Sequence, residues 1–217
     1  MINIIGDSCV ASNITLDVLH QEYINPFCWN IINHTSFGYL IKNYKNINFN
    51  NYYLRKHPSC EEYYLIIDDN IEVLYHHYRE DKNCKTIIKK DNHVYFCDIQ
   101  QYIIEKYKSR LKLNSSPIFI IGSSWEIETD KYEKFEYIIK QNIEKYPLIV
   151  ITNKESDFSY LKKYENEYTK IFKTELHKNN EKLAYDIYNT YKKLFIKNDD
   201  KRISTKIMYS DKYTKVT

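Results

Sequence analysis

Between residues 116 and 195 strand-length apolar runs alternate with longer stretches whose apolar residues recur at helical spacing, and this alternation constrains the fold most tightly. "SPIFIIG", "YPLIVIT" and "YTKIFKT" are the strand-like runs. Asp130 with Glu133 predicts the capped start of a helix reaching about Lys145. Asn180 to Phe195 places Leu183, Ile187, Tyr191 and Leu194 on one helical face. Strands this uniformly apolar offer no polar face to water, so the sheet they form must be covered on both sides. The predicted class is α/β, three layers deep, with a mostly parallel central sheet.

The first half fits the same scheme with an interruption. Met1 to Ile5 predicts a short buried strand ended by Gly6, and Val10 to about Glu22 a helix carrying Ile14, Val18 and Leu19. A second helix is expected over Ile31 to Tyr44, after a connector in which Pro26 disfavours a helical Asn25. Residues 47–58 show no period. "EYYLIID" and "IEVLYHHY" read as a hairpin turning on Asp68, Asp69 and Asn70, and "HVYFC" as one more strand. These segments leave room for an antiparallel excursion near residues 60 to 97. Asp98 with Gln101 then caps a helix running to about Leu113. The expected organisation is one domain over residues 1–196 followed by a basic tail, 197–217.

Charge narrows the function classes. The chain has 217 residues and a formal net charge of +3, and the tail alone carries six basic and three acidic residues, which leaves the body near neutrality. A neutral body lacks the extended basic footprint that a phosphate backbone selects, so nucleic acid is not the expected partner. No run reaches the roughly 20 apolar residues that span a bilayer, and no basic segment with an apolar core opens the chain. The expected location is cytoplasmic, with no transmembrane segment. Five cysteines, at 9, 28, 60, 84 and 97, cannot all pair within one chain, and none form a Cys-x-x-Cys. No compact metal motif or phosphate-binding glycine loop is present, so neither a metal nor a cofactor is expected.

The chain has three glycines, and two close matched runs, "NIIGDSC" and "FIIGSSW". In open α/β sheets, ligands bind outside the carboxyl ends of strands, so Gly6 and Gly122 would frame one site if their strands are neighbours. Each is equally read as a residue that relieves steric strain in a tight turn. Cys9 stands at the expected opening of a helix, where orphan N–H groups favour a thiolate and an oxyanion. It is the first candidate nucleophile, with a buried inert thiol as the competing reading. His76 and His77 are the candidate proton carriers, and strand alternation lets only one face a given pocket. Asp7, Asp68 and Glu72 are candidate orienting carboxylates. Ser123, Ser124 and Trp125 after the second glycine, with Asn153 after the next strand, could hold a polar substrate or cap helices.

Two resemblances add to this reading. "GDS", with Ser8 as nucleophile, resembles the first block of the lipase and esterase group that uses an early serine; the late Asp-x-x-His of that group is missing, and His177 is the one late histidine. "IIGDSCVAS", "INPFCW", "IEVLYHHY" and "KYKSRL" followed by "SPIFI" together resemble a group of papain-like cysteine peptidases, and more faintly an exopolysaccharide-biosynthesis family, over residues 2 to 125. That resemblance implies Cys9 as the early cysteine, Pro26, Phe27 and Trp29 as the following block, His76 or His77 as the histidine, and Arg110 as a further site residue. Cys28 departs from the pattern, which carries an acid there. The strand and helix order is closer to an esterase-like Rossmannoid domain than to a papain architecture.

The function expected is a cysteine-dependent hydrolase or acyl transferase acting on a polar ester, amide or thioester in the modification of a surface polysaccharide. The alternative is a non-catalytic module that binds carbohydrate or nucleotide sugar through Trp29, Trp125 and the polar strand ends. Either way the partner is a small polar or carbohydrate substrate; the sequence sets no oligomeric state.

Overall fold

A computed structural model describes residues 2–7, 25–27, 30–59, 62–75, 87–90, 93–96, 99–111, 116–122, 132–173, 186, 189 and 190. The predicted helix at residues 10–22 and the tail at 197–217 lie outside them. Of the predicted final helix, Asp186, Asn189 and Thr190 are described, and all three are helical.

Four strands, β1 (Ile2–Gly6), β8 (Ser116–Gly122), β9 (Leu148–Thr152) and β10 (Thr169–Lys173), form a sheet in that order. All three pairings are parallel. The register sets Ile5 beside Phe119, Phe119 beside Leu148, and Leu148 beside Thr169. Alternation therefore sorts the side chains into two faces. Ile5, Phe119, Ile121, Leu148, Val150 and Ile171 share one face and belong to the main core cluster. Ile4, Ile118, Ile120, Ile149 and Ile151 share the other; all are buried, and none belongs to that cluster. Full burial of an isoleucine is worth about 1.5–3 kcal/mol, whereas an exposed, solvent-screened ion pair such as Lys45 with Glu144 contributes little. The apolar faces decide this architecture.

The long interval between β1 and β8 holds a second, antiparallel sheet of β2 (Ile31–Ile32), β5 (Ile71–Tyr75), β4 (Tyr63–Ile67) and β3 (Tyr52–Lys56), in that order. A separate ribbon pairs β6 (Ile87–Lys90) with β7 (His93–Phe96). The antiparallel excursion is real and begins earlier than residue 60, because β3 falls in the stretch without a readable period.

Helix α1 (His34–Asn43) packs against α3 (Tyr132–Gln141), and α4 (Glu155–Leu161) packs against α3, β9 and β10. Helix α2 (Ile99–Arg110) lies by β7 and inserts Tyr107, whose hydroxyl donates to the Phe49 carbonyl at 2.6 Å. The helix expected over Ile31 to Tyr44 is divided. Ile31 and Ile32 pair with Leu74 and Val73 as strand, and the Asn33 side chain then accepts the Ser36 N–H at 2.8 Å and starts α1. Ser36 Oγ in turn accepts the Glu72 N–H at 3.0 Å, one residue beyond the end of that short ladder. Residues of both four-stranded sheets and of α1, α2, α3 and α4 contribute to one core cluster.

Candidate functional site

The two glycine-terminated strands are neighbours. Gly6 registers with Ile120, two residues before Gly122, so both runs leave the sheet side by side at its carboxyl edge. Asp7 fastens them. Its N–H donates to the Ile120 carbonyl at 3.2 Å, and its carboxylate Oδ1 accepts the Gly122 N–H at 3.1 Å. Its carbonyl accepts the Ile32 N–H at 2.8 Å. One residue thus joins the ends of β1 and β8 to the last residue of β2. Neither glycine has a positive φ, so neither is required by a left-handed backbone. What glycine supplies here is a missing side chain, at two positions on the isoleucine face that lie diagonally across the β1–β8 pair.

The free edge of β1 is closed by the connector. The N–H of Asp7 points to β8, so by alternation the backbone groups of Ile4 point away from it. The Ile4 carbonyl accepts from Asn25 Nδ2, while Asn25 Oδ1 accepts the Phe27 N–H at 2.9 Å. Asn30 Nδ2 and the Tyr75 hydroxyl both donate to the Pro26 carbonyl, at 3.0 and 3.2 Å. Asn25 and Asn30 are 2% and 3% exposed, so these bonds satisfy amides that would otherwise be costly to bury. The last residue of β5, Tyr75, is thereby tied to the segment that lines β1, and the chain enters His76 from that point.

The next strand end along the edge is that of β9. Gly122 registers with Ile151; Thr152 is buried, and its Oγ1 accepts the Lys154 N–H at 3.3 Å, turning the chain into α4. Asn153 is exposed at that bend. In the first turn of α4, Asp157 is 6% exposed and receives the Ser156 hydroxyl on Oδ1 at 3.3 Å, whereas its Oδ2 has no hydrogen-bond partner among the described residues.

Other candidate residues lie elsewhere. Asp68 and Asp69, with φ of 52° and 57°, are the central pair of the β4–β5 turn, which the Asn70 N–H closes onto the Ile67 carbonyl at 3.2 Å. This is the type I′ pattern. Glu72 meets Arg55 at 2.6 Å across the antiparallel sheet. Arg110 ends α2, six positions before β8 begins, and its Nη1 is buried without a hydrogen-bond partner among the described residues. Ser8, Cys9, Trp29, His76, His77, Ser123, Ser124 and Trp125 lie outside the described residues.

Of the candidates, then, the structure brings Gly6, Asp7 and Gly122 together, with Asn153 one strand further along. Asn25, Asn30 and Tyr75 were not among them. Asparagines on either side of "PF" are an available signal, and Asn30 bonds only four residues back, but Asn25 reaches the Ile4 carbonyl 21 residues away and Tyr75 the Pro26 carbonyl 49 residues away. Among the described residues no group of three or more His, Cys, Asp or Glu is placed to hold a metal ion, and no helix is long and apolar enough to cross a membrane. Comparison with protein-family models, with curated proteins and with solved structures gave no match to this chain.

Proposed function

We propose that the chain is a cysteine-dependent hydrolase or acyl transferase whose site lies at the carboxyl edge of the parallel sheet, on a three-layer Rossmannoid scaffold. The third layer is supported by the burial of the five-isoleucine face, whose residues stand apart from the main core cluster. The segments at 10–22 and 180–195 carry the apolar stripes suited to cover it.

One observation carries the functional reading: the "GDSC" and "GSSW" runs leave adjacent parallel strands and are joined by the Asp7 carboxylate. This is where α/β sheets bind ligands, and two neighbouring glycines there keep side chains out of a ligand's way. In the proposed step the Cys9 thiol gives its proton to His76 or His77 and its sulfur attacks the carbonyl carbon of a polar ester, amide or thioester. The tetrahedral intermediate then expels the leaving group with that proton, leaving a thioester on Cys9. Water completes hydrolysis, and a sugar hydroxyl completes acyl transfer. The N–H groups of Asp7, Gly122 and Ile32 are already bonded. Oxyanion donors must therefore come from residues beyond these, with Ser8, Cys9, Ser123 and Ser124 next in the chain.

Iodoacetamide labelling resolved by mass spectrometry tests the reading. Cys9 is expected to react faster than Cys28, Cys60, Cys84 and Cys97 at neutral pH, and the preference is expected to fall in His76→Ala or His77→Ala. Uniform labelling of the five cysteines, or a Cys9 rate indifferent to both histidines, would remove the thiol mechanism and leave the carbohydrate-binding module as the better reading.

A further inference from the structure

Asp7 occupies an unusual position for an acid. It is the first residue after β1, it is only partly exposed, and all its backbone groups are committed: N–H to Ile120, carbonyl to Ile32. Its side chain does not simply extend into solvent. It turns along the sheet edge to take the Gly122 N–H, the last such group of β8. A parallel pair needs no help of this kind through its ladder, where backbone bonds suffice. The carboxylate acts beyond the ladder, between the two points at which the chain leaves the strands.

We propose that Asp7 is the positioning residue of the candidate site: by accepting the Gly122 N–H it sets the separation and direction of the two points at which the chain leaves β1 toward Ser8 and Cys9 and leaves β8 toward Ser123. This rests on the catalytic reading of Cys9 for its consequence, but the clasp itself does not. The reasons are geometric. Gly122 has no side chain to fix its own orientation, and the bond from its N–H holds the last peptide of β8, one residue before Ser123. Asp7 is the residue before Ser8, so any rotation of its backbone redirects the chain where it leaves β1. The carbonyl bond from Ile32 opposes that rotation from the other side. The three bonds at 2.8, 3.1 and 3.2 Å therefore hold both strand ends in one frame. The clasp also specifies what Asp7 contributes: an acceptor oxygen at a fixed place, a requirement that an amide oxygen meets as well as a carboxylate does.

Two readouts on the full chain separate the clasp from the chemistry. The first is hydrogen exchange of the Gly122 amide, followed by NMR. Asp7→Ala removes the acceptor and is expected to speed exchange by about tenfold, the order that follows from losing one part-buried hydrogen bond to a charged acceptor. Asp7→Asn, which keeps an oxygen on the same stem, is expected to rescue most of that protection. The second is the iodoacetamide rate of Cys9 as a function of pH, expected to shift in Asp7→Ala and to be largely recovered in Asp7→Asn. Unchanged Gly122 exchange in a folded Asp7→Ala protein overturns the clasp. Loss of the Cys9 rate in both variants with Gly122 protected in Asp7→Asn shows that charge is what matters, and overturns the positioning role in favour of a direct one. Gly122 behaving as expected while Cys9 reacts no faster than the other cysteines in the unmodified chain sustains the clasp and defeats the catalytic reading alone. Should Asp7→Ala fail to fold, Asp7→Ser, whose hydroxyl is too short to span the same distance, takes its place with the same two outcomes.

Discussion

At the residue scale, backbone conformation separates positions that tolerate substitution from those that improve with it. Asp68 and Asp69 both take φ values that favour glycine, and among the described residues the Asp69 side chain makes only a long exposed contact of 3.4 Å from Asn51. Asp69→Gly is expected to stabilise the hairpin by about 0.5–1 kcal/mol, seen as a rise in the urea midpoint at unchanged slope. The same turn shows what local sequence can reveal. The hairpin was legible because two β-rich runs flank a polar triplet, while the assignment of Asp68 to the backbone turn needed dihedral angles. Glu72 was open to a catalytic reading because nothing near it in sequence announces Arg55; the register of β3, β4 and β5 brings them together.

At the scale of elements, the contact between α1 and α3 depends on a missing atom. A Cβ on Gly38 would stand 2.4 Å from Tyr137 Cε1, far inside contact distance. Alanine would gain about 1 kcal/mol of helix propensity, but overpacking costs about 1–3, so Gly38→Ala is expected to lower the melting temperature. Tyr137 is 36% exposed and can yield, which keeps the loss modest; in a Tyr137→Ala background the same substitution should become neutral or favourable. Between α3 and α4, Glu136 receives the Tyr160 and Tyr164 hydroxyls at 3.0 and 2.5 Å and pairs with Lys140 at 2.5 Å. Lys140, then the two phenols, bring its carboxyl down from 4.5 to about 2. A depressed carboxyl stabilises the fold above its unfolded value and loses that contribution as pH falls through its folded one. Melting temperature should therefore fall more steeply between about pH 4.5 and 2 in the unmodified protein than in Glu136→Gln, which starts lower at neutral pH. The elements that escaped sequence reading share one trait, a lack of length or contrast. β2 has two residues, α4 has seven, and β3 is an edge strand whose Tyr53, Arg55 and Lys56 face water. Periodicity needs several turns or alternations to register, and these offer too few.

For the whole molecule, the central parallel strands β8 and β9 were legible because burial on both faces makes them uniformly apolar, and the paired glycines were legible as an echo. That the echo reflects adjacency was not, since β1 and β8 pair across an entire antiparallel sheet and no local pattern encodes so distant a register. The edge beyond β1 shows how such a sheet is kept finite. A strand edge is a template for another strand, and here one side-chain amide, Asn25, occupies the Ile4 carbonyl instead. An asparagine in that place is open to chemical ageing, because deamidation to a carboxylate would set two acceptors against each other. The commonest route to that damage begins with attack by the N–H of the following residue. The following residue is Pro26, which has none. The stop that ends the sheet is therefore also built to last.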